Sequence, residues 1–218
     1  MSGVVALMCC AYVLTDAQIV YRSAELPVEI ISLDPELEGD LSLAGLRAIN
    51  SDIVGWLRID DTDINYPVLQ GKDNDYYLAR NYKREWATAG SVFIDYRNTV
   101  DLSDDFTIIY GHRMSYGKMF SDITKFMERN YFNAHQTGRF YTENLAYELA
   151  LVAFARVSAT ERIIYDVNRS RNGYDAIQLI YELSVWRRED FEEGRYILLS
   201  TCDAKDKGMR DVLLARVK

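Results

Sequence analysis

A chain of 218 residues, 49% of them hydrophobic, can build one substantial domain with its own core, and its formal net charge of -8 lacks the basic face expected of a nucleic-acid binder. Sixteen tyrosines against only three prolines favour an ordered, β-rich fold over a disordered chain. Three cysteines, of which Cys9 and Cys10 are adjacent, make no disulfide framework, and no Cys/His cluster has zinc-ligand spacing, so no metal is expected.

The apolar run Val4 to Leu14 is too short to cross a bilayer, which takes about 20 residues, and no Lys or Arg precedes it as in a secretory signal. Two readings stay open for residues 1–22: the outer part of a membrane anchor whose beginning is missing, or an apolar helix packed on the domain. Residues 23–218 are left as the domain itself. Its lead-in, to residue 40, carries Pro27, Pro35 and the acids Glu36, Glu38 and Asp40, with some helix. Apolar residues at 41, 43, 46 and 49 then have helical spacing. Ile53 to Ile59 and Ile64 to Leu69 read as a hairpin of strands, with Pro67 marking an edge or a bulge.

Asp75 to Tyr82 reads as a short helix with Asp73 or Asn74 as its N-cap. Ser91 to Ile94 and Phe106 to Tyr110 are strands, Met119 to Met127 is a helix candidate, and Gly138 to Thr142 and Leu145 to Val157 form a hairpin turning at Glu143-Asn144. Residues 158 to 172 are polar and irregular. Apolar positions 177, 179, 180, 183 and 186 predict an amphipathic helix over Tyr174 to Trp186, capped near Asn172. Many short strands with helices between them suggest a closed β-barrel, because closure removes exposed edges.

The chemistry centres on Tyr196-Ile-Leu-Leu-Ser-Thr-Cys-Asp203, where an apolar run delivers Cys202 to the end of a strand. A thiol held there can act as a nucleophile, but a free cysteine is as often a small buried hydrophobe. Of the two histidines, His112 directly follows a strand in Tyr110-Gly-His112, and Gly111 allows a sharp turn there. His135 lies in a polar loop. A cysteine nucleophile needs a base and a group for the oxyanion, and Arg210, at the start of the last apolar run, presents a permanently charged fork of donors. Spacing alone does not separate this trio from a structural histidine and a solvated arginine. No Gly-x-Ser-x-Gly elbow and no phosphate-binding glycine motif is present.

From about Leu41 to its end, the chain resembles the class B sortases. The pieces are Asn50-Ser-Asp-Ile-Val-Gly-Trp-Leu57, Ile64-Asn-Tyr-Pro-Val-Leu-Gln70, Asp73-Asn-Asp-Tyr-Tyr-Leu78, Gly90 to Asn98, Ile109-Tyr-Gly-His-Arg-Met114 and Leu198-Leu-Ser-Thr-Cys202, in the family's order. The helix inserted before the cysteine strand points to class B. The resemblance implies a mainly β fold, an eight-stranded sortase-type barrel with N-terminal helices. It implies a cysteine transpeptidase with Cys202 as nucleophile, His112 as general acid and base, and Arg210 at the substrate carbonyl. Thr201, Ser200, Asn74 and Leu78 would line the groove for the sorting peptide. Leu198 stands where the family motif has threonine.

The same resemblance implies cleavage of a C-terminal sorting motif after threonine through a thioester, with no metal or cofactor. The partners would be sorting-motif-bearing surface or pilin proteins, and a peptidoglycan amine would accept the cleaved chain. The enzyme would sit at the extracellular face of a Gram-positive membrane, held by its N-terminus. Two alternatives stand beside this: a pilus polymerase joining pilins through lysine, and a non-catalytic peptide-binding barrel.

Overall fold

Among the described residues, the runs of β-branched and aromatic residues become nine strands: β1 (Ile53–Ile59), β2 (Asn65–Leu69), β3 (Val92–Ile94), β4 (Phe106–Gly111), β5 (Thr137–Tyr141), β6 (Ala146–Ser158), β7 (Ser184–Arg187), β8 (Tyr196–Thr201) and β9 (Met209–Val217). Their hydrogen-bonded order is β5-β1-β2-β3-β4-β8-β9-β6-β7, and β5 also pairs with β6. Eight strands therefore close a barrel, and β7 extends the sheet beyond β6. The computed structural model describes residues 25–35, 43–114, 117–143, 145–167, 173–188, 192–201 and 208–218. The expectations for residues 1–22, for Cys202, for a turn at Asn144 and for a cap near Asn172 fall outside these. Among the described residues no helix is long and apolar enough to cross a membrane.

Two junctions of the barrel are parallel, β2 with β3 and β4 with β8. Parallel strands are stable where both faces are covered, and β4 and β8 show how the sequence meets that demand. Ile109, Ile197 and Leu199 join the interior cluster with Phe120, Phe126, Phe154 and Leu213. Phe106, Ile108, Tyr196 and Leu198 belong to the opposite cluster, beneath Ala176, Ile177 and Ile180 of a helix. Full burial of each such side chain contributes about 1.5–3 kcal/mol. A third cluster packs Leu43 and Leu46 against Trp56, Leu69, Tyr77 and Phe93.

The helices are short: α1 (Val28–Ile31), α2 (Ala44–Ile49), α3 (Arg129–Ala134), α4 (Arg162–Tyr165) and α5 (Tyr174–Glu182). Helix α5 ends four residues before the expected Trp186, because Ser184–Arg187 pairs with β6 as β7. Trp186 satisfies its indole N–H on the Met127 carbonyl at 2.8 Å, a partner invisible to periodicity. Helix α4 falls in the stretch expected to be irregular, and α3 reaches into the polar loop expected around His135. Glu161 starts α4 by accepting from the Ile163 amide.

The segments expected as helices at 75–82 and 119–127 are 3-10 helices, Tyr76–Ala79 and Phe120–Met127. Asp73 receives the Asp75 and Tyr76 amides on one carboxylate oxygen, while Asn74 turns elsewhere. Pro67 lies inside the barrel wall opposite Trp56, but pairing with β3 begins only at Val68, so no donor is missed there. The bulge falls on β1 instead, between Ile53 and Gly55.

Gly173 at the start of α5 has φ 71°, and a Cβ there would lie 2.0 Å from the Cβ of Phe106. Both the left-handed backbone and the contact exclude a side chain. Gly173→Ala is expected to lower stability by about 3 kcal/mol. The check is a fall in melting temperature of several degrees by circular dichroism.

Candidate functional site

Strands β4 and β8 run side by side from Phe106↔Tyr196 to Gly111↔Thr201, so both end at one rim of the barrel. His112 follows the end of β4. Thr201 ends β8, and Cys202, the next residue in the chain, is outside the described residues. Strand β9 lies on the other side of β8 and brings Arg210, paired with Val157, to the same rim. The result is an open cleft of about 400 Å³. Asn74 and Leu78 line it from the turn before the 3-10 helix and from that helix, Tyr110 from β4 and His112 from just after it, Tyr165 from α4, Ser200 from β8 and Arg210 from β9.

Among the described residues, the His112 ring meets the Leu78 carbonyl oxygen through Nε2 at 2.6 Å. A carbonyl only accepts, so Nε2 is the protonated nitrogen in this contact. Gly90 makes room for this arrangement. It has φ 59°, and a Cβ there would sit 2.6 Å from the Leu78 oxygen and 3.0 Å from the His112 ring. Tyr77 fixes the carbonyl's own support, donating to Asp52 at 2.6 Å and accepting from Asn50 at 3.0 Å. Burial, and then the bond to Asp52, raise the Tyr77 hydroxyl to about 12. Gly111 serves packing rather than a sharp turn, because a Cβ there would meet the Phe120 ring at 2.7 Å.

The Arg210 guanidinium stands 5.6 Å from the centre of the Tyr165 ring, in cation–π range. The Tyr165 ring stacks on Tyr110 with centroids 6.4 Å apart, and its hydroxyl meets the Ser200 hydroxyl at 3.0 Å. Of the four expected groove residues, Asn74, Leu78 and Ser200 line the cleft and Thr201 is fully buried at the end of β8. Leu198 lies under α5, where an apolar side chain is required. His135 caps α3, stacks on Tyr131 at 3.8 Å and bonds the Tyr131 carbonyl, away from the cleft.

Beneath the cleft lies a group that spacing did not single out. Asp95, fully buried, receives both arms of the Arg97 fork (Nε at 2.8 Å, Nη2 at 2.7 Å), the Asn74 amide at 2.8 Å and the Tyr110 hydroxyl at 3.1 Å. Burial pushes the Asp95 carboxyl up. The Arg97 side chain and backbone, Asn74 and the guanidinium charge outweigh this and hold it below the ordinary carboxylate value. The signal in the sequence was an acid and an arginine two residues apart, directly after the apolar strand Val92–Ile94. Tyr165 was missed because Ile163-Ile-Tyr165 is a brief apolar run in a polar stretch.

A carboxyl held below its unfolded value stabilises the fold at pH above about 4 and loses that contribution as the pH falls through the native value. Asp95→Asn removes the group that titrates. The melting-temperature gap between the wild type and this variant is therefore expected to narrow from pH 6 to pH 3. A gap that stays constant would contradict it.

The sortase domain family matches residues 57–217. Sortase B of Listeria monocytogenes is 39% identical over 198 residues, covering 88% of this chain and 78% of that protein. The Staphylococcus aureus sortase B–substrate complex superposes with a TM-score of 0.72 at 29% identity, covering 85% of each chain. A Streptococcus pyogenes class B sortase involved in pilus biogenesis gives a TM-score of 0.71 at 31% identity, covering 79% of this chain and 96% of that one.

Proposed function

The chain belongs to the sortase family of cysteine transpeptidases, in class B, and we propose that it cuts a sorting motif near the C-terminus of secreted proteins after threonine and passes the protein to a cell-wall amine. One observation carries the reading: His112, Ser200 and Arg210 share a cleft at the paired ends of β4 and β8, and Cys202 is next in the chain after β8.

In this mechanism the Cys202 thiolate attacks the threonine carbonyl carbon, and the carbonyl electrons move onto oxygen. Arg210 faces that oxyanion with N–H donors, where stabilising developing charge is usually the largest single contribution to rate. Collapse of the intermediate breaks the peptide C–N bond, and His112 gives a proton to the departing amine, leaving a thioester on Cys202. The incoming amine then attacks the thioester. His112 takes a proton from it, and the new amide is released with the thiolate restored. Thiolate and imidazolium must coexist at the start, while a free cysteine titrates at about 8.5, so the charges of Arg210 and His112 favour the reactive form. Asn74 and Leu78 form the opposite wall of the peptide groove, with Ser200 between them and Arg210.

Residues 1–22, through the apolar run Val4 to Leu14, would attach the catalytic domain 23–218 to the extracellular face of a Gram-positive membrane. A second reading, in which the acceptor is a pilin lysine, is supported by the likeness to the Streptococcus pyogenes pilus enzyme. Mass spectrometry of products from candidate sorting peptides, with glycine-type or lysine-type amines added, tests the function and separates the two acceptors. Product that never incorporates amine would reduce the activity to hydrolysis.

Cys202→Ala is expected to abolish peptide cleavage with the melting temperature unchanged. His112→Ala should lower kcat/KM at least about a thousandfold, in the range of a lost general acid–base. His135→Ala should leave it within about twofold, since that ring only caps α3. The opposite ranking of the two histidines would refute the assignment.

A further inference from the structure

The walls of the cleft come from segments far apart in the chain, and one buried carboxylate ties them together. Asp95 holds the 3-10 helix wall through Asn74 and the floor through Tyr110. Its partner Arg97 reaches the opposite wall, donating from Nη2 to the Tyr165 carbonyl at 2.8 Å and setting Nη1 3.6 Å from Asp166. Tyr165 in turn presents its ring to Arg210 and its hydroxyl to Ser200. The Asp95 side chain is 0% exposed and that of Arg97 only 18%.

A buried ion pair is a weak source of net stability, because desolvation offsets most of its attraction. What a two-armed Arg–carboxylate pair supplies is direction, since the planar fork fixes both partners. Here the fixed direction points Nη2, which also binds Asp95, at the Tyr165 carbonyl of α4, a helix of only one turn that cannot hold its own position.

We infer that Asp95 and Arg97 are positioning residues: the pair sets the separation of the two cleft walls, and with it the grip on an extended peptide. This rests on the cleft being the sorting-peptide site. The pair does not touch the reacting atoms. It acts through Tyr165 on one side and Asn74 on the other, so its loss weakens peptide binding and leaves the thiol itself as reactive as before.

The test uses Arg97→Lys, which keeps a cation for Asp95 but loses the fork, and the charge-neutral double variant Asp95→Asn/Arg97→Gln, which leaves no unpaired buried charge. Three quantities are read in the full chain: kcat and KM for a sorting peptide, the rate of Cys202 alkylation by iodoacetamide, and hydrogen exchange by mass spectrometry. Expected are a KM raised about tenfold with kcat within about threefold, an unchanged alkylation rate, and faster exchange confined to the Tyr165 and Asp166 amides of α4. Those two amides donate to Glu161 and Arg162, within the helix the tether steadies.

Unchanged exchange in α4 overturns the tether. Faster exchange with an unchanged KM overturns its role in gripping peptide. Alkylation and barrel amides that change together with KM would mean a purely structural pair, which also overturns it. A wild-type enzyme that cleaves no sorting peptide would instead sink the proposed function, and the exchange measurement alone would then decide whether the tether exists.

Discussion

The parallel ladder between β4 and β8 is the constraint on which the rest of the molecule depends. Parallel strands cannot be joined by a tight turn, so the chain between them must leave the barrel and return. That excursion contains α3, the β5–β6 hairpin, α4, α5 and β7. Because the two strands run the same way, both end at one rim, Gly111 beside Thr201. The ladder also demands cover on both faces. The interior aromatics supply one face and α5 supplies the other, which is why Leu198 is apolar where the family motif carries threonine.

Precision at the rim comes from polar contacts buried just behind it. His112 is aimed by a backbone carbonyl, the carbonyl by a 3-10 helix, and that helix by Tyr77 and Asn50. On the other side Arg210 faces Tyr165, whose backbone is reached by Arg97. Each link is a directional hydrogen bond or ring contact between groups with little room to rotate. Low dielectric strengthens such bonds and makes an unpaired member costly, so a network of this kind holds its geometry only when it is complete. The buried carboxylate of Asp95 has five donors turned to it: the Arg97 backbone N–H, Nε and Nη2, the Asn74 amide and the Tyr110 hydroxyl.

The same physics explains what could and could not be read in advance. Strands β1, β4 and β8 were legible because their apolar runs are long and bounded by turn residues. Helix α5 was legible in its first turns, where Ile177 and Ile180 face the barrel. Its end was not, because Ser184–Arg187 is satisfied equally by helical and strand periods, and only the free edge of β6 decides between them. Helix α4, four residues long, is too short to leave a periodic trace. In the site, His112 and Arg210 were legible from their places beside strand ends. Alternation along β8 puts Thr201, fully buried, on the opposite face from Ser200, a difference that residue spacing alone does not show.

The sequence by itself determined the β-rich class, the strand that leads to Cys202, the place of His112 after a strand and the family, because these rest on local pattern and on motifs in order. Only the tertiary structure decided that a ninth strand extends the barrel wall, that Leu78 lends its carbonyl to His112, and that Asp95 and Arg97 join walls drawn from distant segments. Such contacts form between residues that no local rule relates. They exist because closing a barrel brings several strand ends and loops to one rim, where the polar groups left over from the ladder must find partners in each other.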